Sequence, residues 1–574
     1  MSPEQAQGEE VDQRTDIFSF GVVLYELITG KLPFRGEHQA AIIYSICNEE
    51  PEPLSRFRSG VPESLQRAVD KALAKDAEER YQHIADLSAD LKRIKRELSS
   101  GIKEIPKSDK KSVAVLYFEN LSSDPESDYF AAGMVEDIIT DLSKIEGIRV
   151  ASRNAVLPYK GKAVDIPQLG RKMNLDAILE GSIRKAGNRL RITAQLVDVK
   201  EGFHLWAERY DRELKEVFDL QEEIAKNIAS ALKVKLSEKE EEKLAKKYKG
   251  NLLAYDYYLR GRNHYYQYTK PDLMFAVQMF RKALEIDPDY ALAYAGLADS
   301  YFQLIEKSYE TDKSFLKRAE EAAQKALSTD PQCAEAYKAL GTIYYKLGKF
   351  NSAKKLLSQA LEIAPDYVPA RANLGEVFRS LGEYEQAEKQ HLFAHEQEPT
   401  FAYSPFLLGA LYAAWNKLTQ AEKYVRKALE SGESSYFLAL GNGLLGWIRL
   451  NQNEPEQALE YLKKSLEIEP DNPEAIVSLA ATYAALGEKG KATQKIGKIL
   501  QTPSANEWIH MSLIEAFALL KDRDRVYEWL EKGMINNQLD LLILEYSPLL
   551  GELRKEAKFQ QLVQEYKNKV RNSE

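Results

Sequence analysis

The stretch AEAYKALGTIYYKLGKFNSAKKLLSQALEIAPDY, residues 334–367, decides the fold of the C-terminal part of this 574-residue chain. Its apolar residues recur with the period of an α-helix, and a Lys-Leu-Gly-Lys turn separates two such runs. The stretch therefore predicts two helices joined by a tight turn and ended by a proline. Its marker residues are Gly341, Gly348, Ala353, Ala360 and Pro365.

The same spacing recurs from about residue 251 onward, with a period of 34 residues from Gly341 to Gly375. Small residues at the marker positions allow the helices to cross closely. The repetition predicts an α-solenoid over residues 251–538, followed by helices at 539–574 that cap the end of the stack. The first small residues of the other copies are Gly409, Gly446 and Ala480, and also Gly261 and Gly296 if insertions of three and eleven residues are allowed.

This pattern resembles the tetratricopeptide family. The resemblance implies a stack that binds proteins or peptides without catalysis, on a concave surface lined by the first helix of each pair. The alternative is that each polar residue on this surface is an ordinary solvated side chain. The solvent-side positions that spacing assigns to the groove are Lys338, Thr342, Tyr345, Glu376 and Arg379.

The middle of the chain has the pattern of a small α/β domain at residues 112–235. A linker is expected at 98–111, where Gly, Ser, Pro and Lys replace the apolar periodicity. One long amphipathic helix is predicted from about Val217 to Lys247, so that residues 236–250 connect the domain to the solenoid. The predicted strands are 112–118, 148–152, 177–184 and 189–199, the last two joined by a hairpin turn, and the predicted helices are 130–145 and 167–173.

The stretches SVAVLYFENLSSDPESDYFAAGMVEDIITDLSKI and LEGSIRKAGNRLRITAQLVDVKEGFHLWAERYDREL resemble the TolB-like (FlgO-related) domain. That family implies an interaction domain without an assigned active site. Phe118, Tyr129, Trp206 and Tyr210 could form a binding surface, although aromatic residues beside strands are also typical of a core. The segment after SVAVLYF lacks the glycines of a phosphate-binding loop.

Residues 1–97 resemble the end of a bacterial Ser/Thr protein kinase of the eukaryotic type. The resemblance rests on SPE at residues 2–4, DIFSFGVVLYELITGKLPF at 16–34 and ERYQ at 79–82. It implies a partial helical C-lobe in which Glu4 pairs with Arg80 and Asp16 hydrogen-bonds the backbone of the catalytic loop. All three are structural residues.

The catalytic and ATP-binding motifs of a kinase all precede this stretch in the family. We therefore expect no catalytic, cofactor or metal residues in the chain, and ATP and Mg²⁺ only if a missing kinase half is present. We expect Met1 to be an internal methionine of a longer gene. The apolar helix FSFGVVLYELI would then lack part of its cover, which should make residues 1–97 the least stable part.

Composition narrows the classes of function. The net charge of −9 is spread along the chain and argues against nucleic acid as a partner. No apolar run is long enough to span a membrane, and the two distant cysteines, Cys47 and Cys333, favour a reducing compartment such as the cytoplasm. His391 and His395 stand four apart on a helix, but with no third ligand evident we interpret them as surface or packing residues. Two functions stay open: a non-catalytic scaffold that binds proteins and carries a truncated kinase domain, or the C-terminal part of an active kinase.

Overall fold

The computed structural model of the chain describes residues 1–36, 38–57, 63–99, 110–122, 127–245, 250–307, 309–310, 312, 314–398, 402–430, 435–501 and 507–573. The chain forms two compact units, Met1–Asp109 and Lys110–Glu574. The predicted fold class is confirmed: the chain is mainly helical, with one small α/β part and one helical solenoid. Among the residues just given, none of the helices is long and apolar enough to cross a membrane. Most of the predicted linker at 98–111 lies outside the described residues.

The first unit is helical. Its core joins Phe18 and Tyr25 of the second helix to Val69 of the fourth and to Leu73, which follows that helix directly. Its helices are α1 (Pro3–Gln7), α2 (Arg14–Thr29), α3 (Gln39–Asn48), α4 (Glu63–Ala72) and α5 (Ile84–Ser99).

Helix α2 has a second apolar face that the described part of the unit leaves in solvent. Phe20, Val23 and Leu27 are 42%, 51% and 75% exposed, and Asp16 stands at the N-terminal end of the same stripe. These three apolar side chains thus form an exposed stripe on the helix that the sequence predicted to be partly uncovered.

The second unit begins with a mixed sheet in the order β3-β1-β4-β5-β6, and β2 pairs with β4. Strand β1 runs parallel to β3 and β4, whereas β4, β5 and β6 are antiparallel. The bounds are β1 (Lys111–Val115), β2 (Glu119–Asn120), β3 (Ile148–Val150), β4 (Ala177–Ala186), β5 (Arg189–Asp198) and β6 (His204–Glu213), with helices α6 (Asp128–Leu142), α7 (Arg153–Val156), α8 (Ile166–Met173), α9 (Val217–Ala231) and α10 (Glu238–Ala245).

Helices cover both faces of this sheet. Val113 and Val115 of β1 belong to the core that includes α6 and α9, and Ala114 lies in the core with α7 and α8. This alternation follows from the two-residue period of a strand. The four predicted strands are present, but β6 was missed because its side chains are largely exposed and only Tyr210 is buried.

The single long helix predicted from Val217 to Lys247 is wrong, since α9 and α10 are separate. Lys233 adopts a positive φ of 60°, and the Val234 amide bonds back to the Ala229 carbonyl, which ends α9. Ser237 then starts α10 with a capping box, in which the Glu240 carboxylate accepts a hydrogen bond of 2.8 Å from the Ser237 amide. The local capping chemistry overrides the continuous amphipathic pattern.

Eight helix pairs follow in the described part of residues 250–536. They are pair 1, α11 (Leu252–Tyr265) and α12 (Lys270–Ile286); pair 2, α13 (Ala291–Glu306) and α14 (Ser314–Thr329); pair 3, α15 (Ala334–Lys346) and α16 (Phe350–Ile363); pair 4, α17 (Val368–Ser380) and α18 (Tyr384–Gln397); pair 5, α19 (Tyr403–Ala414) and α20 (Leu418–Glu430); pair 6, α21 (Ser435–Asn451) and α22 (Pro455–Ile468); pair 7, α23 (Pro473–Ala485) and α24 (Lys489–Leu500); and pair 8, α25 (Glu507–Leu519) and α26 (Arg523–Asn536). The first helices pack against each other in two runs, α11 to α17 and α19 to α25, and we call the side of the stack that they form the inner face.

The predicted turn residues adopt the left-handed conformation that ends a helix. Gly348, Gly382 and Gly487 have φ values of 73°, 76° and 77°, and Asn416 and Asn453 take 54° and 63°. Glycine and asparagine enter this region with little strain, which is why the sequence marks each turn.

The crossing points explain the first small residue of each pair, with one correction. A β-carbon on Gly341 or Gly375 would lie within 3.0 Å of a side chain of the second helix in the same pair. Gly296 instead faces Phe280 of the preceding pair. Because Gly341 and Gly375 stand seven residues after the starts of their helices, the equivalent residue of pair 2 is the fully buried Ala298, and the predicted register at Gly296 is wrong.

The C-terminal segment corrects the prediction of a simple end cap at 539–574. Its helices are α27 (Leu541–Tyr546) and α28 (Ala557–Arg571), and α28 packs against α26. In contrast, α27 packs against α17 and α19, in pairs 4 and 5. Leu541 to Leu544 are buried there, so this segment is a part of the core that returns to the middle of the stack.

Candidate functional site

The first unit contains a buried ion pair. The two guanidinium NH groups of Arg80 donate to the two carboxylate oxygens of Glu4, each at 2.8 Å, and the Thr15 hydroxyl adds a bond of 2.6 Å. Arg80 holds the pKa of Glu4 well below its ordinary value although burial opposes this shift. Asp16 is exposed at the start of α2. This arrangement joins α1 to the segment after α4 and contains no reactive group.

The first 97 residues do not fit a site for ATP and Mg²⁺ by themselves. They contain no glycine-rich loop, no catalytic-loop motif and no DFG-type motif. Within the described residues, no group of three or more His, Cys, Asp or Glu side chains could hold a metal ion.

The α/β part docks on pair 1 through a charged network that is largely buried. Arg262 of α11 donates to Glu136 and, at 2.7 Å, to Asp137 of α6, and Arg153 donates to Glu136 at 2.6 Å. The Tyr255 hydroxyl donates to Asp137. Paired charges of this kind are stable in a low-dielectric interior only when their geometry is good, so the network fixes the orientation of the α/β part on the solenoid.

The four aromatic residues singled out in the α/β domain have different environments. Phe118 and Tyr210 are buried in the core. Tyr129 donates its hydroxyl to Asp256 of pair 1, and the Trp206 ring is half-buried at 6.4 Å from that of Tyr210. The structure therefore does not bring the four together as one open surface.

The prediction that all five groove residues face solvent is wrong for Lys338 and Arg379, which are only 8% and 4% exposed. The reason is that neighbouring elements supply carboxylates. Lys338 of pair 3 bonds Asp299 of pair 2 at 2.5 Å, and burial raises the pKa of Asp299 while Lys338 opposes the shift.

The other groove residues also contact their neighbours. Thr342 accepts a hydrogen bond of 2.6 Å from Asn373 of pair 4. The half-buried Tyr345 ring lies 5.8 Å from that of Phe350. Glu376 lies near the turn of pair 4 and is described with Arg379 below. Contacts between first helices thus use two of the five positions that sequence spacing assigns to a groove, Lys338 and Thr342.

Arg379 belongs to a buried polar chain that runs from pair 4 to the C-terminal segment. His391 Nε2 lies 2.9 Å from a Glu376 oxygen, Glu376 pairs with Arg379 at 3.3 Å, and Arg379 also pairs with Asp540. Burial acts to raise the pKa of Glu376, but Arg379 and His391 outweigh it and hold this pKa below its ordinary value. His391 occupies the position where pair 3 has Leu357. The sequence shows this replacement of an apolar residue by histidine, because the two positions are one repeat period apart.

Asp540 and Glu515 anchor the C-terminal segment at both ends of α27. The Asp540 carboxylate accepts the Leu542 amide at 2.8 Å and so caps the helix. Glu515 of pair 8 accepts hydrogen bonds from Ser547 and from Trp447 of pair 6. Burial raises the pKa of Glu515 to about 7, although both hydrogen bonds oppose this. Neither residue was identified from the sequence, because no local pattern marks a contact between distant pairs.

His395 lies in a different environment from His391. Its Nε2 is 2.7 Å from the Lys427 ammonium, and its ring packs edge-on against Tyr424. Burial and the two lysines nearby lower the pKa of His395 to about 4. The two histidines thus occupy packing positions.

Comparison with family models divides the chain into three parts. Residues 1–89 match the protein kinase domain, and residues 108–227 match the second domain of HilA/YgeH-like transcriptional regulators. Residues 334–367 and 449–502 match the tetratricopeptide repeat. The kinase and tetratricopeptide resemblances are therefore confirmed at the level of the domain type, and the solenoid contains tetratricopeptide repeats at residues 334–367 and 449–502.

Curated relatives match only segments of the chain. The putative adenylate cyclase 3 of Rhizobium meliloti is 48% identical over 189 residues, which is 33% of this chain and 32% of that protein. The serine/threonine-protein kinase PknB of Mycolicibacterium smegmatis is 48% identical over 94 residues, 16% of this chain and 15% of that protein. The chain thus spans less than a third of the length of these relatives.

Two solved structures match parts of the chain with low TM-scores. The tetratricopeptide repeat protein from Parabacteroides merdae has a TM-score of 0.33 at 22% identity, covering 46% of this chain and 98% of that one. For pilF of Pseudomonas aeruginosa the TM-score is 0.28 at 23% identity, with coverage of 38% and 96%.

Proposed function

We propose that this chain is a non-catalytic scaffold that binds protein partners in signal transduction. The stack of eight tetratricopeptide-type pairs carries this proposal, because such a stack presents a long inner face to a ligand and stores its stability in contacts between neighbours. The half-exposed part of that face, with Thr342 and Tyr345, would contact the partner.

The proposal extends to the α/β part. We infer that it is an interaction domain of the TolB-like (FlgO-related) kind in a bacterial protein, fixed on the solenoid by the Arg262 network. The two cysteines are free thiols and suit a reducing compartment such as the cytoplasm.

A capture experiment with a variant of the inner face tests the scaffold. The full chain is incubated with bacterial lysate and cross-linked, and the captured proteins are quantified by mass spectrometry. The variant Thr342→Arg with Tyr345→Glu changes the inner face, and the matched control Lys317→Glu with Glu321→Arg reverses an exposed pair on α14. We expect the control to capture the wild-type set and the inner-face variant to lose it. Equal capture by all three proteins, or no capture, would contradict the proposal.

A second function is favoured by the exposed apolar stripe of α2. An exposed apolar stripe such as that of Phe20, Val23 and Leu27 suits contact with a further part of a kinase domain, which supports the alternative that this chain is the C-terminal part of an active kinase. Translation of the DNA before Met1 should then reveal a glycine-rich loop and a catalytic loop, and their absence would refute this alternative.

Autophosphorylation separates the two functions. The chain of 574 residues should incorporate no label from γ-labelled ATP with Mg²⁺, because it lacks the phosphate-binding motifs. Incorporation by the purified chain would overturn the non-catalytic proposal.

A further inference from the structure

Three half-exposed tyrosines from distant pairs meet in the second unit. Tyr268 follows α11 of pair 1, Tyr403 begins α19 of pair 5, and Tyr436 begins α21 of pair 6. Their exposed fractions are 39%, 37% and 43%, respectively. The Lys307 ammonium of pair 2 lies 4.6 Å from the Tyr436 ring centre and 5.8 Å from that of Tyr268. The Phe437 ring lies 5.5 Å from Tyr436 and 6.2 Å from Tyr403. We call these five residues the tyrosine cluster.

Four carboxylates act electrostatically on two of the tyrosines. The negative charges of Glu306 and Glu376 help to raise the pKa of the Tyr403 hydroxyl. Those of Glu306, Glu469 and Glu474 help to raise the pKa of the Tyr436 hydroxyl. Burial, reinforced by these negative charges, raises the pKa of Tyr436 to about 12, so the phenol is neutral at physiological pH.

The cations beside the cluster are already engaged. Lys346 pairs with Glu306 at 2.6 Å, and Arg379 pairs with Asp540. Lys307 lies over the tyrosine rings. In the described residues the four carboxylates around the cluster are accompanied by three cations, Lys307, Lys346 and Arg379. Arg379 is shared between Glu376 and Asp540, so negative charge is in excess.

Lys307 shows which chemistry the rings accept. Its ammonium stands within 6 Å of two ring centres, the range in which a cation is attracted by the face of an aromatic ring. Exposed tyrosine rings in an acidic environment favour lysine and arginine side chains over carboxylates or neutral amides.

We propose that the tyrosine cluster is the docking site for a lysine- or arginine-bearing segment of a protein partner. The proposal rests on the scaffold function and names the partner's chemistry. The basic side chains stack on the exposed rings of Tyr403 and Tyr436, and the surrounding glutamates neutralise their charge. An acidic segment is repelled by the same glutamates.

The test measures fluorescence anisotropy of three fluorescein-labelled octapeptides with the full chain. The sequences are GRGRGRGR, GEGEGEGE and GQGQGQGQ. We expect the arginine peptide to bind about tenfold more tightly than the glutamine peptide, with an affinity that falls as salt is added, and the glutamate peptide not to bind. Equal affinity for the arginine and glutamine peptides, or tighter binding of the glutamate peptide, would overturn the proposal.

Two variants locate the binding site. Tyr436→Ala should raise the Kd of the arginine peptide about fivefold, and the conservative, exposed Glu306→Gln about threefold. The matched controls are Tyr44→Ala, an exposed tyrosine of the first unit, and Glu460→Gln, an exposed carboxylate on α22, and both should leave the Kd unchanged. If Glu306→Gln and Tyr436→Ala bind the arginine peptide with the same Kd as the control variants, the tyrosine cluster is not the binding site.

The failure of this inference can be told apart from failure of the scaffold. The wild-type chain could capture partners that the inner-face variant Thr342→Arg with Tyr345→Glu loses, and yet show no preference for the arginine peptide. That result would refute the docking chemistry alone. A chain that captures no partner in the cross-linking experiment would refute the scaffold itself.

Discussion

Replacement of Arg80 by alanine should destabilise the first unit selectively. The guanidinium donates two hydrogen bonds to Glu4 and further bonds to the carbonyls of Ala74 at 2.7 Å and Lys75 at 3.0 Å. Its removal leaves the Glu4 carboxylate buried without its cation. One-sided loss of a buried ion pair costs about 3–5 kcal/mol. Because a domain of this size is stable by only about 5–15 kcal/mol, the change removes a large part of its stability.

Hydrogen exchange followed by mass spectrometry measures this effect on the intact chain. Peptides from α2 should exchange much faster in Arg80→Ala, whereas peptides from Lys110–Glu574 should be unchanged, since that unit is compact by itself. The matched control is Arg56→Ala, which removes an ion pair to Glu52 with side chains 66% and 48% exposed. An exposed pair contributes about 0–1 kcal/mol.

The same ion pair predicts a pH dependence with a definite sign. The pKa of Glu4 lies below its ordinary value of 4.5 in the folded state, so the pair stabilises the unit fully above that pH and less as the pH falls below it. Glu4→Gln should weaken this loss in acid. If Arg80→Ala changes the exchange of α2 no more than Arg56→Ala does, the buried ion pair is not a main source of the unit's stability.

The remaining predictions concern the second unit. Gly375→Ala should lower the free energy of unfolding by about 1–3 kcal/mol, because the new methyl group overlaps a buried histidine ring. Gly497→Ala, in open space on α24, should raise the free energy of unfolding by about 0.5–1 kcal/mol. Urea unfolding compares the two variants, and equal effects would show that Gly375 is not required where the two helices cross. Asp540→Ala should cost about 3–5 kcal/mol, against about 1 kcal/mol for the exposed helix cap Asp522→Ala, and similar midpoints in urea would contradict the buried pair. Since the pKa of Glu515 is raised to about 7 from 4.5, its contribution is complete at low pH and is lost as the pH rises through about 7, on the order of 3 kcal/mol; thermal unfolding at several pH values should show this slope in the wild type and not in Glu515→Gln.

The sequence predicted what depends on local spacing. The turn residues Gly348 and Gly382 were placed correctly because each adopts the positive φ of a tight turn. The crossing residues Gly341 and Gly375 were placed correctly because each contacts the second helix of its own pair. The register of pair 2 was wrong because Gly296 is small for a different contact, with Phe280 of the preceding pair.

Features that depend on distant contacts could not be predicted. Arg379 was placed in solvent because its partner Asp540 is 161 residues away. Strand β6 was missed because an exposed strand lacks the alternation that marks a half-buried one. The end of α9 was missed although the capping box from Ser237 to Glu240 could have been read.

The return of α27 to pairs 4 and 5 changes how the stack can assemble. A linear array can add or lose its terminal repeats one at a time. Here α27 is bonded to Arg379 at one end and, through Ser547, to Asn451 and Glu515 at the other, so pairs 4 to 8 form a closed loop. During synthesis on the ribosome, the middle repeats must wait for residues 540–547 to emerge before this seam can form, and fraying from the C-terminus must first break it.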